Sequence, residues 1–161
     1  MSSSPIGKYR DTNRYPSRGW NAYHVVYQDA QRWLKEGIHD ALFPMMYFQG
    51  NNFYPFALDW KENDGKRWII PGLGIYFLSP REQDWPLDEI VRQIHFTRQI
   101  KLNGQAYFRN RFLLDNTKGV LDELEENFYT YPALIPPMTW SDSIPPSVPS
   151  HPSVQQIANG K

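Results

Sequence analysis

Three short apolar runs, at 41–48, 68–77 and 104–109, alternate with segments of helical periodicity, and this alternation constrains the fold more than any other feature. The run at 41–48 is nearly unbroken, as expected of a strand buried on both faces of a parallel sheet. Helices between such strands supply the right-handed crossovers that parallel pairing requires. Pro44 weakens a central-strand assignment, because proline donates no ladder hydrogen bond, although a bulge accommodates it. Pro71, Gly72 and Gly74 make the second run an irregular strand or a place of close backbone approach.

The intervening segments read as helices. Over 22–36, Tyr23, Val26, Tyr27, Ala30, Trp33 and Leu34 share a face, Asn21 offers a cap, and Gly37 follows the last turn. A short helix is expected over 54–63, ended by Asp64-Gly65. Over 86–102, Leu87, Ile90, Val91 and Ile94 form the stripe. There Asp84 can cap, Pro86 sits in the first turn, and Asp88 and Glu89 favour the positive end of the dipole. A last helix over 118–128 uses Val120, Leu121, Leu124 and Phe128, with Asp115 or Thr117 as cap. Residues 1–20 read as a loop that begins at a strand end near 3–5. The stretch 131–140 is apolar, proline-rich and extended. From 141 to 161 the chain becomes a Ser/Pro-rich linker or disordered tail, which implies a further domain beyond it.

Bulk properties exclude several function classes. Lysine plus arginine equals aspartate plus glutamate at 17 each, so no global charge attracts nucleic acid. The absence of cysteine removes disulfides, thiol nucleophiles and thiolate metal sites. His24, His39, His95 and His151 lack metal-ligand spacing, so no metal and no cofactor are expected. No Gly-x-Ser-x-Gly elbow supports serine hydrolase chemistry. Gly72-Leu-Gly74 lacks the remaining glycine of a phosphate loop. No stretch approaches transmembrane length, and the first residues contain no apolar signal region.

Several stretches carry a specific resemblance. They are SPIGKY at 4–9, WLKEGIHDALFPMMY at 33–47, RQIHFTRQ at 92–99 and YPALIPPMTW at 131–140. NNFYPFALDW at 51–60 and PGLGIYFLSP at 71–80 add to it. In this order, over 4–140, the chain resembles the glycosyl-hydrolase-like family 10 domain, and its Bacteroides-type branch in particular. The resemblance implies a glycosidase-type β/α barrel with SPIG at the end of the fifth strand. FPMMY would then be the sixth strand, IIPGLGIY the seventh and GQAYFRN the eighth. A complete barrel takes about 250 residues, so 161 residues imply the carboxy-terminal part, about strands 6–8 of a TIM (β/α)8 barrel. The expected fold is α/β, an incomplete parallel sheet flanked by helices over 1–140.

The missing half would carry the family's candidate catalytic aspartates. The expected function is therefore a carboxy-terminal fragment of a glycoside hydrolase acting on a polysaccharide or glycan. Such a fragment contributes cleft residues, is inactive alone, and has an exported parent. The alternative is a non-catalytic carbohydrate-binding or cell-envelope interaction module. Open sheet edges, and apolar inward faces at Leu42, Met46, Ile70 and Phe108, imply pairing with the missing half or with a second copy as a dimer, or else poor solubility.

Glycoside hydrolysis needs two opposed carboxyl groups, and in a barrel these stand at the carboxy ends of strands. The residues expected there are Tyr47, Gln49, Asn52, Tyr76, Tyr107, Arg109 and Arg111, none of them acidic. Asp40 precedes a strand, Asp59 and Glu62 lie on a helix, and Asp88, Glu89, Asp122, Glu123, Glu125 and Glu126 read as solvated faces or caps. No catalytic residue is therefore assigned. Tyr47, Gln49, Asn52, Tyr76, Tyr107 and Arg109 are the substrate-binding candidates. Tyr47 can stack on a sugar ring or pack beneath its loop, and Asn52 can bind a hydroxyl or shape a turn. Arg109 and Arg111 suit an acidic sugar or a peptide carboxylate, or else a salt bridge to Asp115 or to a carboxylate of the missing half. Lys8 reads as an exposed loop lysine.

Overall fold

The computed structural model describes residues 1–16, 19–141, 144 and 147, so most of the expected Ser/Pro-rich linker lies outside the described residues. Strands β1 (Ser2–Ser3), β2 (Ala41–Leu42) and β3 (Trp68–Ile69) form a sheet in that order, with both pairings parallel. Strands β4 (Gly72–Leu73) and β5 (Ala106–Tyr107) pair in parallel as well. Single parallel bridges from Ile6 to Met45 and from Met45 to Gly72 join the two groups.

The strands are this short because proline interrupts three successive ladders. Pro5, Pro44 and Pro71 have no N–H to give, yet each carbonyl accepts from the next strand. Met45 N donates to Pro5 O at 2.9 Å, Gly72 N to Pro44 O at 2.8 Å, and Ala106 N to Pro71 O at 3.0 Å. The pairing thus continues through each proline on its acceptor side.

Helix α1 (Ala22–Val25) begins as expected, with Asn21 Oδ1 accepting from His24 N at 2.8 Å. The single helix expected over 22–36 is broken, however. The chain leaves α1 at Val26, Tyr27 takes φ 56° and is exposed, and α2 (Ala30–Lys35) starts afresh. A tyrosine at positive φ cannot continue a right-handed helix. Gly37 ends the segment at φ 73°, the left-handed value that favours glycine there.

Helix α3 (Tyr54–Glu62) buries Phe56, Ala57 and Trp60. The Trp60 indole N–H donates to Gly7 O at 2.6 Å, which ties this helix to the chain just after β1. Helix α4 (Leu87–Gln99) buries Ile90 and Ile94 from the expected stripe. Asp84 does not cap it; Pro86 occupies the cap position, and Asp84 accepts from Lys118 Nζ at 2.6 Å instead. A short helix that was not expected, α5 (Asn110–Leu114), precedes the last expected helix, which divides into α6 (Val120–Glu123) and a π turn at Leu124–Phe128. Neither Asp115 nor Thr117 caps α6, whose cap position is held by Gly119. Asn116, at φ 43°, accepts from Leu121 N at 2.9 Å through Oδ1.

Leu34, Leu42, Trp60, Ile69, Leu73 and Ile90 form the centre of the core between sheet and helices. Full burial of each such side chain contributes about 1.5–3 kcal/mol. Leu42 and Met46 were expected on an exposed face with Ile70 and Phe108, but both are fully buried. The register explains this. Leu42 pairs with Ile69, so Ile70 points to the opposite side of the sheet. Phe108 does remain 46% exposed. The stretch 131–140 has no helix or strand. Its Trp140 reaches the start of β2, packing edge-on to Trp68 and donating to Asp40 Oδ1 at 2.9 Å. The Met1 amino group bonds the same aspartate, and these two bonds hold the Asp40 carboxyl below its ordinary pKa.

Candidate functional site at the strand ends

Past the carboxy ends of β2, β4 and β5 three aromatic rings meet. Tyr47 stacks on Phe108 with ring centres 5.3 Å apart and planes 22° from parallel. Tyr76 stands edge-on to both, at 5.7 Å from Tyr47 and 5.6 Å from Phe108. Backbone pairing puts them there. Tyr47 lies two residues beyond the Met45 bridges. Tyr76 begins to turn in the 3₁₀ segment Ile75–Leu78, and its N–H donates to Phe108 O at 3.2 Å. Phe108 N in turn donates to Leu73 O at 2.9 Å. Burial raises the Tyr47 phenol above its ordinary pKa, with Tyr76 adding to the effect. Burial raises Tyr76 likewise, and Glu82 adds to it. Both hydroxyls therefore stay protonated and able to donate at neutral pH.

The other candidates are distributed differently. Asn52 Oδ1 accepts from Lys8 Nζ at 2.7 Å. Lys8 is not an exposed loop lysine: it is 7% exposed, and its ammonium lies 4.9 Å from the centre of the Phe48 ring and 5.3 Å from that of Phe56. Aromatic faces and an amide oxygen replace its water. Burial still lowers its pKa, against an opposing pull from Asp11. Asn52 thus both anchors a buried cation and closes the turn, its N–H donating to Gln49 O at 3.1 Å. Gln49 itself is exposed at the start of the 3₁₀ turn Gly50–Asn52.

Tyr107 is not brought to the aromatic cluster. It is in register with Leu73, so it faces the helices while its neighbour Phe108 faces the mouth. Its hydroxyl meets Tyr129 Oη at 3.2 Å, and Tyr129 donates to Gln105 Oε1 at 2.9 Å. Burial, and then the Tyr129 bond, push the Tyr107 pKa strongly upward. Arg109 lies over Phe112, 5.5 Å from the ring centre, and no carboxylate pairs with it among the described residues. Arg111 does pair with Asp115, at 3.3 Å.

Glu89 departs from the solvated face expected of it. It is 5% exposed, accepting from Gln93 Nε2 and from Arg92 Nη2, each at 2.9 Å. Gln93 Nε2 also donates to Phe48 O at 2.9 Å, so this carboxylate braces α4 against the segment that follows β2. Asp59 accepts from Gln31 at 2.8 Å between α2 and α3, and burial raises its pKa. Both carboxylates thus hold elements together. Among the described residues no group of three or more His, Cys, Asp or Glu could hold a metal ion. No helix there is long and apolar enough to cross a membrane.

Consecutive parallel strands with side chains gathered at their carboxy ends define a class of α/β proteins that build their sites at that edge. The chain is similar to a protein named Glycosyl hydrolase YngK, from Bacillus subtilis (strain 168). The two are 31% identical over 171 aligned positions, which cover 98% of this chain and 34% of the relative. The chain therefore spans about a third of the relative's length, and the similarity supports a glycosyl-hydrolase-like relationship along nearly all of it. No family model matches the chain.

Proposed function

We propose that the chain forms the carboxy-terminal sector of a β/α barrel in a glycoside hydrolase, and that it lines the cleft for a polysaccharide or other glycan. The finer assignment, to the glycosyl-hydrolase-like family 10 and its Bacteroides-type branch, belongs to the same proposal. The cluster of Tyr47, Tyr76 and Phe108 carries the reading. Aromatic faces at a strand mouth suit the C–H faces of a pyranose, and the two protonated phenols can donate to its hydroxyls. Parallel pairing of neighbouring strands and similarity to a named glycosyl hydrolase both support it.

The catalytic carboxyl pair that such chemistry needs is assigned in this reading to sequence outside the chain. None of Tyr47, Gln49, Asn52, Tyr76, Phe108 and Arg109 at the strand ends is acidic. That same observation favours the second reading, a glycan-binding module without catalysis of its own.

The test uses the full-length protein that contains this chain, with the variants Tyr47→Ala and Phe108→Ala. Reducing-end release from a bacterial or plant polysaccharide panel is measured beside glycan binding. The proposal expects KM to rise about tenfold in each variant, the loss of one stacking face, with melting temperature little changed. Unaltered binding and turnover in both would overturn it. Glycan binding without hydrolysis in the full-length protein would favour the second reading.

A further inference from the structure

We propose that the arginine-lined cavity beside the aromatic cluster receives a carboxylate carried by the glycan, so that the site selects acidic sugars. This rests on the reading of the cluster as a glycan platform. The cavity has a volume of about 310 Å³, and Arg81, Arg109, Arg111, Glu82, Asp115 and Ser79 are among its walls. Three guanidinium groups face two carboxylates, which leaves the walls with a net positive charge.

The pairing within the cavity sharpens the point. Arg111 is engaged by Asp115. Arg81 and Arg109 have no ion-pair partner among the described residues, although Glu82 and Asp115 share the cavity with them. Arg109 is steadied from one side by the Phe112 ring. Two guanidinium groups without an ion-pair partner, in a concave site of net positive charge, are matched by a planar anion, because a guanidinium presents paired N–H donors at the spacing of carboxylate oxygens.

The cavity is joined to the platform through the chain itself. Arg109 directly follows Phe108, and Ser79 N donates to Tyr76 O at 3.1 Å at the end of the turn that holds Tyr76. In this proposal a sugar on the rings extends a substituent across these short chain connections to the arginines. A neutral hydroxyl there would gain one hydrogen bond; a carboxylate would gain charge pairing as well. All three arginines are solvent-exposed, so the preference is moderate and sensitive to salt.

Binding of two probe pairs to the full-length protein, measured by calorimetry, tests this. One pair is oligogalacturonate and its methyl ester; the other is oligoglucuronate and its carboxyl-reduced form. The expected result is about tenfold tighter binding of the acidic member of at least one pair at low salt. That preference should shrink as salt is added. The double variant R81Q/R109Q should lose the preference yet keep its affinity for the neutral member, and Arg109→Lys should retain part of it. Circular dichroism checks that these surface variants fold. Equal affinity of the wild-type protein for both members of each pair would overturn the carboxylate assignment and leave the platform standing. A preference that survives in the double variant would also overturn it. Failure to bind any of the four probes would count against both.

Discussion

Gly7→Ala probes the geometry on which the strand assignment rests. An ideal Cβ at Gly7 would overlap the Met45 carbonyl oxygen, and would stand 2.7 Å from the Met45 carbonyl carbon and 2.9 Å from Met46 Cα. Carbon atoms in ordinary contact lie about 3.5–4.0 Å apart, so the two backbones must separate by about 1 Å. No rotamer change relieves this, because every obstructing atom is main chain. Separation stretches two ladder bonds, Phe43 N to Ser3 O and Met45 N to Pro5 O, both now 2.9 Å. Each is worth about 1 kcal/mol, and the residual overpacking strain adds about 1–3 kcal/mol. The sum, about 3–5 kcal/mol, is a large share of the 5–15 kcal/mol that typically holds such a domain together. Urea unfolding followed by tryptophan fluorescence reads it directly, since Trp60 is bonded to this same Gly7 carbonyl. Gly104→Ala is the control. Its Cβ would meet only Ile70 side-chain carbons at 3.7 and 3.9 Å, so its midpoint should stay within about 0.5 kcal/mol of wild type. A Gly7→Ala protein as stable as the control would mean that the first segment does not lie against β2, and the parallel arrangement built on it would fail.

Two other perturbations test local features. Tyr107→Phe removes a hydroxyl from the chain of bonds linking Tyr107, Tyr129, Gln105 and Thr97, and should cost about 1 kcal/mol in a neutral thermal melt. The wild-type Tyr107 pKa is raised on folding, so its stabilising share is complete below the ordinary tyrosine pKa of 10.0 and fades as pH climbs above it. Melting temperature should therefore fall less steeply above pH 10 in Tyr107→Phe than in wild type; parallel slopes would refute the burial argument. Asn116→Ala should destabilise by about 1–2 kcal/mol, through loss of the bond to Leu121 N and of a side chain tolerant of φ 43°. Asn116→Gly should recover much of that loss, and chemical denaturation of the two variants side by side would show whether it does.

Periodicity disclosed the elements whose residues answer to near neighbours. The Asn21 cap, the left-handed Gly37 and the Ile90 and Ile94 stripe of α4 each depend on contacts within a few positions, and each stands where the pattern put it. The misplaced residues depend on distant partners. Lys8 is enclosed by Phe48, Asn52 and Phe56, at least 40 positions away, and nothing beside it in the chain announces a buried cation. Glu89 fits the acidic first turn of a helix, yet its partner Gln93 bonds the Phe48 carbonyl and draws the carboxylate inward. At the candidate site Tyr47 and Tyr76 were legible as strand-end aromatics. Tyr107 and Phe108 were both visible, but which of them faces the mouth depends on a one-residue phase. Only the pairing of Leu73 with Tyr107 fixes that phase.

Tyr47 owes its pose to material that is missing beneath it. A Cβ at Gly72 would come 3.2 Å from its Cε1, and one at Gly74 the same distance from its Cβ. Two bare positions hollow out the seat in which the phenol rests. A single methyl at either would press on Tyr47 and displace it by about a few tenths of an ångström, with every residue of the aromatic cluster itself unchanged. The aim of this aromatic surface is therefore adjustable from underneath, by changes that would look silent in a catalogue of contact residues.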